Sequence, residues 1–251
     1  MFRAILFDLD DTLLGNSMER FVLAYFQALT RYVAHLILPD RLIAELLRSM
    51  QAMEANDGRG PTNEEVFATT FYPALGYERE TLEPLFRQFY AEEFPKLRAL
   101  TRTLPEARSI VEHAFAHGLQ VAIATNSLFP RLPIEQRLEW AGVPVTEFDY
   151  ALVTSYEVMH ATKANPAYYR EVVARLGRQP GECLMVGDDW KRDIAPAASI
   201  GIPGYWITEP GNTPPSPLPP EEMGILVGQG TLADLLKLCF PTHSVPQAQP
   251  L

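Results

Sequence analysis

The sequence predicts an α/β fold in which a parallel sheet carries an all-helical unit inserted after its first strand. Three observations point to it. The chain opens on a short apolar run ending in acids, Ala4-Ile5-Leu6-Phe7-Asp8-Leu9-Asp10, the pattern of a strand buried on both faces. From about residue 16 to residue 100 the apolar spacing is almost wholly helical. After Pro105, short apolar runs alternate with helical stretches closed by glycine, as successive βαβ units do.

The first strand spans Ala4 to Leu9. Phe21, Ala24, Tyr25, Ala28 and Leu29 then recur at helical spacing, and Leu42 to Met53 repeats the pattern. Asn56-Asp57-Gly58-Arg59-Gly60-Pro61 interrupts it as a turn-rich loop. Thr62 and Glu65 fit a capping box that opens the next helix, and Leu82 to Phe94 reads as another. Beyond Pro105, helices are expected over 106–117, 166–176, 194–199 and 231–238, and strands over 120–124, 150–154, 183–186 and 204–207. Gly118, Gly177 and Gly201 stand where helices end. The arrangement is Rossmann-like. It divides the chain into a core over residues 1–15 and 101–240, a helical cap over 16–100, and a loose tail over 241–251. Residues 209–220 hold six prolines and read as an extended surface loop.

Composition excludes several function classes. With 251 residues, 47% of them hydrophobic, the chain can bury a real core. A formal net charge of −10 argues against nucleic acid or an anionic membrane as a partner. It leaves room for a phosphorylated substrate, because a metal ion inverts the field locally. Cys183 and Cys239 are too few and too far apart for a disulfide framework or a zinc cluster. No apolar run approaches the roughly 20 residues that span a bilayer. The N-terminal residues lack the apolar length of a signal peptide, so a reducing cytoplasm is the expected compartment.

Four clusters carry chemistry, each after an expected strand, where open α/β sheets bind ligands. Asp8-Leu9-Asp10-Asp11-Thr12 delivers two carboxylates two residues apart. They can divide the work of nucleophile and general acid if a cation relieves their repulsion. Thr125-Asn126-Ser127 offers a hydroxyl to a phosphoryl oxygen. Lys163 is one of only four lysines beside seventeen arginines, and a compact charge next to a helix start suits phosphate. Gly187-Asp188-Asp189-Trp190-Lys191-Arg192-Asp193 turns tightly after a strand and presents acids that can serve a hard cation. Each segment has a plainer reading taken alone: a capped turn, a helix cap, a solvated lysine, an acidic helix start.

In order and context together, the four segments resemble the motifs of the haloacid dehalogenase-like (HAD) hydrolase superfamily, over 4–16, 120–127 and 150–207. Lys163-Ala164-Asn165-Pro166 departs from relatives that place proline directly after the lysine. The resemblance implies a magnesium-dependent phosphatase with an α-helical cap, acting on a small phosphate ester. It implies that Asp8 attacks phosphorus and forms an aspartyl-phosphate. Asp10 would protonate the leaving oxygen and then activate water. Magnesium would be held by Asp8, the backbone carbonyl of Asp10, and Asp188, with Asp189 and Asp193 acting through water or behind these ligands. Thr125, Lys163, Asn126 and the amide of Leu9 would bind the phosphoryl oxygens. Asn16, Ser17, Asn56 and Arg59 are the cap-side candidates for contact with the leaving group, with a solvated loop as their plainer reading. Hinges near 15–16 and 100–103 would let the cap close.

Within the superfamily, a phosphomutase or a haloacid dehalogenase are the alternatives, although a departing halide needs no acid at position 10. From another class comes a non-catalytic phosphate-binding or signalling module. The expected partner is a small phosphate ester, with no nucleic acid or membrane, bound by a monomer or homodimer.

Overall fold

In the computed structural model, which describes residues 2–208 and 226–239, strand β1 (Ala4–Phe7) is buried along its whole length. The reason is its place in the sheet. It pairs in parallel with β4 (Gln120–Ile123) on one side and β6 (Cys183–Gly187) on the other, Ile5 standing opposite both Val121 and Leu184. Three further strands, β5 (Leu152–Val153), β7 (Gly204–Ile207) and β8 (Leu226–Gly230), complete the order β5-β4-β1-β6-β7-β8, every neighbouring pair parallel. The chain builds outward from β1 to one edge and then returns to build toward the other. A crevice therefore opens at the carboxyl end of β1.

Side-chain alternation splits the core in two. Ile5, Phe7, Val121, Ile123, Leu184 and Val186 face one way, toward α5 (Pro105–Ala116) and α6 (Arg131–Trp140). Ala4, Leu6, Ala122, Cys183 and Met185 face the other, where α7 (Pro166–Leu176) lays Tyr168, Tyr169 and Val172 over the small residues. Both cysteines are free.

The insertion is helical, as expected: α1 (Met18–Val33), α2 (Pro39–Glu54), α3 (Asn63–Leu75) and α4 (Arg79–Glu92), then a 3-10 segment, Phe94–Leu100. Thr62 and Glu65 form the capping box that opens α3. The insertion leaves and rejoins the core on an antiparallel pair, β2 (Leu14–Asn16) against β3 (Thr101–Thr103), with Asn16 opposite Thr101. Aromatic rings join cap to core: Phe94 stacks on Trp140 at 5.5 Å, and Tyr25 meets Phe129 edge-on at 5.4 Å. At the far end, Asn63 of α3 is fully buried. Its side-chain amide donates to Ser127 Oγ at 3.0 Å and to the Ala161 carbonyl at 3.1 Å. The amides of Asn63 and Glu64 donate to the carbonyls of Met159 and Tyr156, so the open end of the helix is satisfied by core loops.

Several elements differ from expectation. The strand read over 150–154 is reduced to Leu152–Val153, since Thr154 turns its hydroxyl onto the Ile123 and Thr125 carbonyls. The helix read over 194–199 begins earlier, as a wide turn over Trp190–Ile194, and passes into the short helix α8 (Ala195–Ala198). Helix α6 and strand β8 were not expected. The last helix, α9 (Leu232–Cys239), was. The proline-rich expectation over 209–220 and the tail over 241–251 lie outside the described residues. No helix among the described residues is long and apolar enough to cross a membrane.

Candidate active site

The carboxyl ends of β1, β4, β5 and β6 bring the four sequence clusters to one place. Asp8 follows β1 directly, and its amide donates to the Val186 carbonyl of β6, extending the ladder by one residue. The chain then turns sharply: the amides of Leu13 and Leu14 both return to the Leu9 carbonyl. Asp11 sits in the left-handed region at φ 57°, which a short polar side chain tolerates better than most. Its Oδ1 accepts from the Asn16 amide at 2.9 Å and closes the loop.

Lys163 is buried, and its Nζ donates to both Asp8 Oδ1 and Asp193 Oδ1. The departure from the common lysine-proline spacing has a local explanation. Asn165 caps α7 by accepting from the Ala167 amide at 2.9 Å, and Pro166 takes the first helical position. Thr125 lines the same space, its carbonyl held by Thr154 Oγ1 and the Tyr168 hydroxyl, both at 2.8 Å. Asn126 Oδ1 accepts from the Lys163 amide at 3.3 Å. The backbone amide of Leu9, next in the chain, pulls the Asp8 carboxyl down against the larger rise that burial imposes.

Asp8, Asp188 and Asp193 each offer a carboxylate oxygen within 4.8 Å of the others. Gly187 permits this. A Cβ there would lie 2.6 Å from Asp193 Cβ, so only glycine lets the acid pass. Burial pushes Asp188 up to about 8, reinforced by the charges of Asp8 and Asp193. Burial likewise pushes Asp193 up to about 7, with Asp8 adding to the rise against the pull of Lys163. Asp8 is raised for the same first reason. Burial alone would lower Lys163; the carboxylates of Asp193 and Asp8 outweigh it and hold the ammonium charged. Three carboxylates against one ammonium leave an excess of negative charge, and oxygen donors so spaced fit a hard divalent cation.

Asp189 does not join them. Its Oδ1 accepts from the amides of Lys191 and Arg192 and caps the turn that follows. The side chain of Asp10 is also taken up elsewhere. Its Oδ2 pairs with Nη1 of Arg137, and its Oδ1 accepts from Asn16 Nδ2 at 3.1 Å. Arg137 is a residue the sequence reading missed. It is 1% exposed and stacks over Phe129, its carbon 4.9 Å from the ring centre. A signal existed: an arginine between Ile134 and Leu138, on the apolar face of an unread helix.

A cavity of about 1010 Å³ runs from Asp8, Asp10, Lys163 and Asp188 up into the cap. Of the four cap-side candidates, none is among the described residues lining it. Asn16 is buried against Asp10. Ser17 precedes α1 without a capping bond. Asn56 bonds the Pro61 carbonyl and Asn63 within its own loop. The side chain of Arg59 is 90% exposed beside Asp57. This loop packs instead on the core surface, where Asp57 bridges to Ala161.

Phosphoserine phosphatase of Thermus thermophilus is 28% identical over 148 residues, 59% of this chain and 55% of that protein, so the match spans about half of that relative's length. A HAD phosphatase from Thermococcus onnurineus superimposes with a TM-score of 0.57 at 22% identity, covering 95% of this chain and 98% of that one. A 2-haloacid dehalogenase from Pseudomonas syringae pv. Tomato reaches 0.65 at 20% identity, again over 95% and 98%. These last two likenesses are of fold, and they join a phosphatase and a dehalogenase on one scaffold. The haloacid dehalogenase-like hydrolase pattern itself matches residues 2–201, from the strand before Asp8 to the glycine after α8, and by that match the chain belongs to the haloacid dehalogenase-like hydrolase family.

Proposed function

We propose that the protein is a magnesium-dependent phosphatase that cleaves a phosphate monoester through a phosphorylated Asp8. One observation carries this reading: the buried group Asp8, Asp188 and Asp193 sets three carboxyl groups against the single ammonium of Lys163, and a divalent cation would let all three ionise. Halide displacement gives no use for such a group, and a departing halide needs no proton. A dianionic phosphoryl group needs both a cation and an acid.

In this reading an Asp8 carboxylate oxygen attacks phosphorus, and the bond from phosphorus to the ester oxygen breaks. Asp10 gives its proton to that oxygen, and the alcohol leaves. Asp10 then takes a proton from water, whose oxygen attacks the same phosphorus and releases phosphate with Asp8 restored. Lys163 and Thr125 meet the non-bridging oxygens, with the Leu9 amide and Asn126 at the same pole. Arg137 and Asn16 hold Asp10 by its two oxygens and act as positioning residues. Asp8 and Asp188, with Asp193 behind them and the Asp10 carbonyl beside them, would hold magnesium, which when bound would supply positive charge to the phosphoryl oxygens. The cap helices would cover the alcohol and exclude bulk water.

The test is phosphate release from p-nitrophenyl phosphate by metal-stripped protein, with and without added magnesium, beside Asp8→Asn. We expect activity only with magnesium, and a fall below about a hundredth in the variant. Full activity in chelator would remove magnesium from the reading, and no phosphate release with or without magnesium would return it to the dehalogenase.

A further inference from the structure

The cap end of the cavity carries an inference about the alcohol half of the substrate, and it rests on the phosphatase reading. Beyond Asp10 the walls become aromatic: Tyr25, Phe26, Phe67, Phe71, Tyr90 and Phe129 come from α1, α3, α4 and the segment before α6. The rings stand against one another. Phe67 stacks on Phe71 at 4.7 Å and meets Tyr156 at 6.1 Å. The hydroxyls of Tyr25 and Tyr90 bond each other at 2.8 Å. Burial pushes the Tyr25 phenol up to about 12 and raises Tyr90 well above its usual value, so the pair stays neutral.

Among the described residues that line the cavity, every cation already has an acidic partner. Arg87 pairs with Glu83, Arg131 with Glu135, Arg137 with Asp10, Arg192 with Asp189, and Lys163 with Asp8 and Asp193. Among the buried nitrogens of these cations, Nη2 of Arg137 lacks a hydrogen-bond partner, and Nη1 of the same guanidinium is taken by Asp10. Of the remaining acids of the lining, Glu64 is paired with Arg79, whereas Glu19 and Glu54 would repel a carboxylate. A cavity of about 1010 Å³ also far exceeds what a short phospho-acid fills.

We propose that the substrate is the phosphate monoester of an uncharged alcohol bearing an aromatic ring, and that the ring lies among Tyr25, Phe67 and Phe129, with the fully buried Phe71 backing Phe67, and with its phosphate at Asp8. Flat π-faces meeting the edges of these rings would favour an aromatic occupant over an aliphatic chain of equal area. The bond broken is the one already described, between phosphorus and the ester oxygen, and the alcohol departs with the proton from Asp10.

Aryl esters leave easily for intrinsic reasons, so the test places the ring on an alkyl arm. With saturating magnesium, kcat/KM is compared for 2-(2-naphthyl)ethyl, n-octyl and ethyl phosphate and for phosphoserine. The naphthyl ester is expected to exceed ethyl phosphate and phosphoserine by about tenfold or more, and octyl phosphate by several-fold. In Phe67→Leu, which keeps apolar volume and removes the ring, the naphthyl-to-octyl ratio should fall by about fivefold. Independently, calorimetry should detect 2-(2-naphthyl)ethanol binding to the protein without magnesium or phosphate, more weakly in Phe67→Leu. Phosphoserine turned over as well as the naphthyl ester, octyl matching naphthyl, or no binding of the alcohol would each overturn the proposal while the phosphatase reading stood. No phosphate release from any ester would sink the phosphatase reading and this proposal with it.

Discussion

A methyl group at position 187 would collide with Asp193, because a Cβ there comes within 2.6 Å of Asp193 Cβ. Gly187→Ala should therefore displace that carboxylate and remove one partner of Lys163. Magnesium affinity, measured by calorimetry, is expected to fall at least about tenfold with the far-ultraviolet dichroism retained; an unchanged affinity would show that Asp193 has no part in the metal pole. The same acids make stability depend on pH. Asp188 and Asp193 are raised in the fold to about 8 and about 7, so the folded state prefers their protonated forms. That stability is complete well below the unfolded carboxylate range and is lost as pH climbs through the raised values. Between about pH 6 and pH 8.5 the melting temperature of metal-free protein should drop by several degrees, and saturating magnesium should remove the drop. A flat metal-free profile would mean that these carboxylates are ionised throughout. For Arg137→Lys, which keeps the charge but not the planar fork, kcat should fall about tenfold while KM changes little. A change in KM alone would place Arg137 on the substrate and not on Asp10.

At the scale of elements, the central strands were readable because burial on both faces leaves an unbroken apolar run, as in Ala4–Phe7 and Cys183–Gly187. Strand β8 was not, since its Leu-Val-Gly-Gln-Gly lies at the sheet edge with alternating exposure. Helix α6 escaped because it opens after Pro130, carries Pro133, and buries an arginine where an apolar residue would have signalled the face. The core of the site was legible for a related reason: each cluster sits at a strand end, a place fixed by local sequence. The cap contacts were not, because which loop faces the cavity depends on how α3 docks. That docking is testable. Asn63→Ala takes a side-chain donor from the Ser127 carbonyl and one of two from the Ala161 carbonyl, which keeps Ser127 Oγ. It should cost about 2 kcal/mol and lower the melting temperature by roughly 5 °C. Arg59→Ala, by contrast, should leave turnover of every ester alike, and a selective loss would bring that loop back to the substrate.

In the whole molecule, the carboxylate-rich pole of the cavity belongs to the sheet and its aromatic walls mostly to the cap, and the two meet at Asp10. All three tryptophans stand at seams of this arrangement. Trp140 lies under Phe94, where cap meets core. Trp190 and Trp206 meet edge to face at 5.4 Å, and Trp206 Nε1 donates to the Asp188 carbonyl at 2.7 Å. The protein therefore contains its own optical probes. Light emitted by the Trp190–Trp206 pair should change colour and yield when a cation draws Asp188 inward, and emission from Trp140 when the cap lifts. In Trp140→Phe the whole signal would come from the metal pole, so a magnesium titration followed by fluorescence would read occupancy there without any substrate, label or turnover.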